Sequence, residues 1–324
     1  MKSWQKGLIV FLVITFIMLL FGLIVSNIRN PVASFVSFTP YIAQLNVEGE
    51  IMDTYSTDYF SNYSGYHHQW TLDKIDELID DSSNKGLLLY IDTPGGSVYA
   101  SDELYLKIKD YKEESERPVY VAMGSLAASG GYYISSPADK IYANRNTWTG
   151  SIGVTMGTFI DVSDFLSEHG INTETITAGK NKAMGGYFNP LTEDQIQIFQ
   201  ALADEAYDRF TGIVAEGRGL PIDKVRELAD GRIYTATQAI ELELIDEIGS
   251  KEDAYEDMKE ELALDSCTLQ VFTHTSTSIL GRALGSEALS QLASIMRNSR
   301  GDIGAVLELA DRMNRMPIRY QYER

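Results

Sequence analysis

Met123-Gly124-Ser125-Leu126-Ala127-Ala128-Ser129-Gly130-Gly131-Tyr132-Tyr133 places one hydroxyl, Ser129, among small residues with two glycines directly behind it. A substrate backbone can come close to such a serine, and the N–H groups that follow are left free to face it. A strand pattern over residues 118–123 precedes the stretch. Asp92-Thr93-Pro94-Gly95-Gly96-Ser97 repeats the arrangement after the apolar run Leu87-Leu88-Leu89-Tyr90-Ile91. Helical patterns follow both turns, over about residues 99–111 and from residue 127 onward. Strand, helix and strand at this spacing predict βαβ units with parallel pairing, hence an α/β fold. One site built from two backbone turns is the expected result, with Ser129 as candidate nucleophile.

The pattern extends in both directions. Residues 41–51 alternate as a strand and start the body. Residues 52–69 are rich in Tyr, Ser, Asn and His and read as a surface loop that carries His67 and His68. In the next segment Leu72, Ile75, Leu78 and Ile79 recur at helical spacing. Residues 141–143, 158–162 and 171–177 read as further strands, with a short helix at Phe165-Leu166. Over residues 192–216, Phe199, Leu202, Ala206, Phe210 and Ile213 form an apolar stripe suited to core or subunit contact. Pro221 suits the first turn of another helix.

Residues 7–26, GLIVFLVITFIMLLFGLIVS, contain no charge. Twenty helical residues span about 30 Å, the thickness of the hydrocarbon layer. A cleaved signal peptide has a shorter apolar region and a small-residue cleavage site, and neither is found here. Lys2 and Lys6 before the span, against Arg29 and later acids after it, place residues 1–6 in the cytoplasm. The expectation is a single-pass anchor in the cell membrane, a connector over 27–40, an extracytoplasmic body over 41–265 and an appendage over 266–324.

Composition excludes some classes. Lys and Arg number 27 against 46 Asp and Glu, a net charge of −19. Nothing in that balance neutralises phosphates, so no nucleic-acid partner is expected. Cys267 is alone, which rules out an intrachain disulfide and a thiolate zinc cluster. The four histidines show no ligand spacing, so no metal and no cofactor is predicted.

A serine hydroxyl needs an adjacent base. His169 is the one histidine in a clearly structured stretch, and the glycine after it marks a helix end. The other candidates are Lys180 and Lys182, in Gly179-Lys180-Asn181-Lys182-Ala183-Met184. Lysine has an ordinary pKa of about 10.4, so it serves as a base only where burial disfavours its ammonium.

The order of motifs resembles the short bacterial form of signal peptide peptidase A. Thr93-Pro94-Gly95-Gly96-Ser97 is followed by Ala128-Ser129-Gly130-Gly131-Tyr132-Tyr133, Thr149-Gly150-Ser151-Ile152-Gly153-Val154, the Gly179 to Lys182 loop, Asp230-Gly231-Arg232 and Leu244-Ile245-Asp246-Glu247. The resemblance covers roughly residues 40–265. It implies a fold of repeated ββα units like that of Clp protease and crotonase, and a Ser–Lys dyad serine protease. By motif position Ser129 is the nucleophile, Lys182 the general base and Ser151 the residue that orients the lysine. The resemblance also implies an oxyanion hole made by the backbone N–H groups of Gly96 and Gly130. Asn181 and Ala183 depart from the family's usual neighbours of the lysine and keep Lys180 as an alternative. The resemblance further implies remnant signal peptides as substrates, and a homo-oligomeric ring or dome in which neighbours complete the sites. The tail around Pro317 and Tyr320-Gln321-Tyr322 resembles a C-terminal segment able to reach a neighbour's groove. A crotonase-like acyl-CoA enzyme and a non-catalytic scaffold or immunity-type protein are the alternatives on the same fold.

Overall fold

The computed structural model describes residues 39–53 and 65–274, and the backbone of residues 319–321. The apolar span over residues 7–26 lies outside these. Among the described residues no helix is long and apolar enough to cross a membrane.

Strands β1 (Tyr41–Glu48), β2 (Asn84–Thr93) and β4 (Val119–Ala128) form the middle of a mostly parallel sheet. β2 reads Leu-Leu-Leu-Tyr-Ile without a polar break because it is covered on both faces, the usual condition of a central parallel strand. Its side chains divide with period two. Leu87, Leu89 and Ile91 join the larger core with Ala43, Leu45, Val47, Val119, Val121 and Met123. Leu88 joins a second cluster with Ile42, Tyr120, Ala122 and Tyr142.

Helices cover both faces. α1 (His68–Asp80), α2 (Val98–Ser115) and α3 (Gly130–Ser135) contribute buried residues to the larger core. α4 (Ser163–Glu168) buries none. α5 (Glu193–Arg218) opens on a capping box in which Thr192 and Gln195 exchange hydrogen bonds. α6 (Ile222–Leu228) and α7 (Ala236–Glu241) follow. The opposite face is covered by α8 (Lys251–Glu261), whose Ala254 and Met258 pack on the second cluster. Polar stitches fix that helix. Lys140 pairs with Asp257 at 2.7 Å, while the Tyr142 and Tyr120 hydroxyls donate to Asp257 and Glu261.

Shorter strands complete the sheet: β5 (Lys140–Ala143), β6 (Trp148–Gly150), β7 (Ile233–Thr235), β8 (Glu247–Ile248) and β9 (Thr268–Phe272). β4 pairs with β5 through its first half and with β6 through its second. The break between them lies at Gly124-Ser125, where Asp92 accepts from the Ser125 hydroxyl and the Leu126 N–H. β9 extends the other edge beside β1. β3 (Gly95–Ser97) stands apart and pairs with β10 (Arg319–Gln321).

Several expectations need correction. The strand before Ser129 runs to Ala128, and its helix begins only at Gly130. Residues 158–162 and 171–177 form no strand; they are largely exposed, so water serves their backbone groups in place of a ladder. The apolar stripe of α5 divides: Ala206, Phe210 and Ile213 are buried, whereas Leu202 is exposed. His68 is no loop residue. It opens α1, is buried, and bridges the Tyr66 hydroxyl and the Glu103 carboxylate.

Candidate active site

Ser129 stands where β4 ends and α3 begins. It is 1% exposed, with φ 55° and ψ −116°. A non-glycine residue held there stores strain of about 1–3 kcal/mol, sustained only where the surroundings over-determine it. The surroundings are on hand. The Ser129 N–H donates to the Gly150 carbonyl, and the Tyr133 N–H donates to the Ser129 carbonyl. Behind it, Tyr132 donates to the Leu244 carbonyl and Tyr133 to Asp102. The Ser129 hydroxyl makes no capping bond of its own.

Ser151 follows β6 as Ser129 follows β4, for Ala128 and Gly150 are register partners. Both serines have positive φ, 55° and 50°. Gly150 lies at φ 83°, and a β-carbon on it would meet the Tyr234 ring at 2.5 Å. Two threonines fasten the paired strand ends: Thr147 donates to the Gly124 carbonyl and Thr149 to that of Ala127. The Asp230-Gly231-Arg232 turn closes the other side, with the Ser151 N–H donating to the Arg232 carbonyl.

The two glycine turns meet. A β-carbon on Gly130 would lie 3.2 Å from both Gly95 Cα and Gly96 N. As the first residue of α3, Gly130 has an N–H with no acceptor inside the helix. Ile51 donates to the Gly95 carbonyl and accepts from the Ser97 N–H, so the N–H and C=O of Gly96 turn to the opposite edge. Residues 319–321 pair antiparallel along that edge, with Tyr320 opposite Gly96.

The lysines are placed differently. Lys180 is exposed and pairs with Asp194 at 2.8 Å, which holds its ammonium above the usual lysine range. Lys182 is exposed and lines a cavity of about 630 Å³ with Met156, Phe159, Met184, Phe188 and Phe199. Ser151 lines another, of about 460 Å³, with Gln200, Asp204 and Tyr207. The structure thus joins Ser129, Ser151, Gly96 and Gly130 in one place, and sets Lys182 in a different cavity from Ser151. His169 caps α4 at the surface, its Nδ1 2.8 Å from the Phe165 carbonyl.

Known proteins resemble this chain. The profile of peptidase family S49 matches residues 111–265. A protein of Enterococcus faecium named "Putative signal peptide peptidase SppA" is 37% identical over 246 residues, which are 76% of this chain and 71% of that protein.

The chain belongs to peptidase family S49.

It is a serine protease. Protease 4 of Haemophilus influenzae is 34% identical over 75% of this chain, which spans only 39% of that longer protein. Among solved structures a mutant ClpP1 of Listeria monocytogenes aligns with a TM-score of 0.43 at 17% identity, over 69% of this chain and 98% of its own.

Sequence reading of this S49 protease assigned no role to Thr147, Thr149 or Asp92. Thr147-Trp148-Thr149 alternates polar and aromatic residues directly before Gly150-Ser151, a period-two signal that two hydroxyls share one face. Asp92 carried no such signal, because its partners Ser125 and Leu126 are 33 and 34 residues away.

Proposed function

We propose that this chain is a membrane-anchored endopeptidase in which Ser129 is the nucleophile, Lys182 the general base and Ser151 the group that orients the lysine. The observation that carries the reading is Ser129, strained at a strand-to-helix turn, with Gly130 directly after it and the Gly96 backbone against Gly130. Ser129 Oγ attacks the scissile carbonyl and passes its proton to the neutral lysine amine. The carbonyl oxygen takes up the electron pair between the N–H groups of Gly96 and Gly130. The resulting ammonium then protonates the leaving amine, and water repeats the sequence on the acyl-enzyme.

The edge of β3 gives the substrate its orientation. Residues 319–321 lie there as an antiparallel strand, and an extended peptide added in the same way uses main-chain bonds for affinity. Substrates are apolar segments, such as remnant signal peptides at the outer membrane surface to which residues 7–26 anchor the body. The Met- and Phe-walled cavity around Lys182 suits such side chains.

Lys182 reaches Ser129 of a neighbouring copy in a homo-oligomer. Two facts support this. Lys182 and Ser151 line separate cavities, and no residue between Ile152 and Ala206 is buried. That segment leaves Phe165, Ile171 and Ile176 exposed, with Ile176 at 92%. A lysine acts as a base only when its ammonium is desolvated, which a neighbour's surface supplies.

A serine-reactive fluorophosphonate probe tests the nucleophile on the full chain in detergent. The wild type is labelled and cleaves an apolar fluorogenic peptide, and Ser129→Ala does neither. Labelling or turnover that survives in Ser129→Ala sinks the assignment.

A further inference from the structure

Ser101 lies in the first turn of α2, four residues after the end of β3. It is fully buried, and its hydroxyl has no hydrogen-bond partner. Buried hydroxyls are nearly always partnered, because an unmade bond in the interior is costly. Ser101 does not bond back to the preceding turn as Ser135 and Ser136 do, each of which donates to a carbonyl four residues earlier. Its neighbour in the fold is Gly130. A β-carbon on Gly130 would stand 2.5 Å from Ser101 Oγ and 3.2 Å from Gly96 N. The unpartnered hydroxyl therefore packs against Gly130, one residue from Ser129, with the Gly96 N–H on the same side of that glycine.

We propose that Ser101 is a further catalytic residue, a third donor to the oxyanion, which its hydroxyl meets when the carbonyl oxygen acquires charge. The inference rests on the reading of Ser129 as nucleophile. The physical reason is differential binding. A donor without a partner in the resting enzyme, which gains one only as negative charge develops, stabilises the transition state more than the bound substrate. Its bond to an anionic oxygen is also stronger than one to a neutral carbonyl. The requirement for glycine at position 130 follows, since any side chain there would displace the hydroxyl.

Ser101→Ala and Ser101→Cys in the full chain test it, with Ser129→Ala as control, by kcat and KM on an apolar fluorogenic peptide and by thermal unfolding. For Ser101→Ala the expected result is a kcat about 10- to 100-fold lower with KM unchanged, below the 10²–10³ known for a principal oxyanion donor. Its Tm is equal to wild type or higher, because an unsatisfied group has been removed. Ser101→Cys, with its weak thiol donor, falls between. An unchanged kcat overturns the proposal, as does a loss confined to KM. A parallel fall of kcat and Tm in both variants also overturns it and makes the hydroxyl structural. Turnover that survives in Ser129→Ala defeats the underlying reading instead, and so separates the two failures.

Discussion

The sheet and the segment over residues 153–205 obey opposite rules. In the sheet, Leu45, Leu89 and Val121 are wholly buried, and consecutive side chains alternate between two cores. In the segment no residue is buried, and Phe159 and Phe199 find mainly each other, 4.5 Å apart. The proposed nucleophile and oxyanion donors are fixed to the first region, whereas the proposed base is carried by the second. If the proposed trans arrangement holds, a site divided in this way would let assembly control activity, because Ser151 beside the serine and Lys182 line separate cavities within one copy. It also explains why Ser129 tolerates strain, for a turn gripped by Gly150, Tyr132 and Tyr133 is over-determined before any partner arrives.

The largest expected effect comes from separating the two halves of the site. Ser129→Ala and Lys182→Ala should each abolish turnover. Mixed in equal amounts, unfolded and reassembled together, they should regain about a quarter of wild-type activity, because random assembly of symmetric contacts brings intact serine and intact lysine together at one site in four. No recovery, in particles shown by mass to contain both variants, means that each copy uses its own lysine. Activity retained by Lys182→Ala but lost in Lys180→Ala would transfer the base to Lys180, despite its pairing with Asp194.

A smaller loss is expected from the backbone donors. A β-carbon on Gly96 has no room beside the Ile51 backbone, so Gly96→Ala must shift the turn. Loss of one well-aligned donor lowers kcat by about 10²–10³. Measured kcat for Gly96→Ala within a few-fold of wild type would remove Gly96 from the oxyanion hole.

The same contrast sets what the sequence could disclose. Leu87 to Ile91 and the turns at Gly95-Gly96 and Gly130-Gly131 were legible because the neighbouring strands that use them lie in the same chain. Period and glycine spacing therefore carried the parallel sheet and the meeting of the two turns. The strands expected over 158–162 and 171–177 did not form, since these stretches lie largely exposed and water serves their backbone groups in place of a ladder. Ser101 was invisible for a different reason. A serine in the first turn of a helix is ordinary, and only burial without a partner distinguishes it.

Stability should follow the same division. Leu89→Ala removes a fully buried side chain from the larger core and should cost about 2–5 kcal/mol in denaturant unfolding. Below that range, β2 would not be the central strand of a packed body.

The smallest effect on folding is expected at Ile176. It is 92% exposed, so Ile176→Ser changes nothing that the single chain buries. Unfolding measured at concentrations too low for assembly should shift by no more than about 0.5 kcal/mol, as for other surface positions. At higher concentration the comparison should reverse. In the proposed assembly an exposed isoleucine on a segment with no core of its own would gain its burial from another copy, and each buried apolar side chain contributes about 1.5–3 kcal/mol. Sedimentation should then show Ile176→Ser dissociating at concentrations where the wild type stays assembled, with turnover falling in step because Lys182 lies on the same segment. If Ile176→Ser assembles like the wild type, the exposed face of residues 153–205 is not the contact between copies. The contact that brings Lys182 to Ser129 would then have to be made by other residues of the segment, such as those of the cavity that Lys182 itself lines.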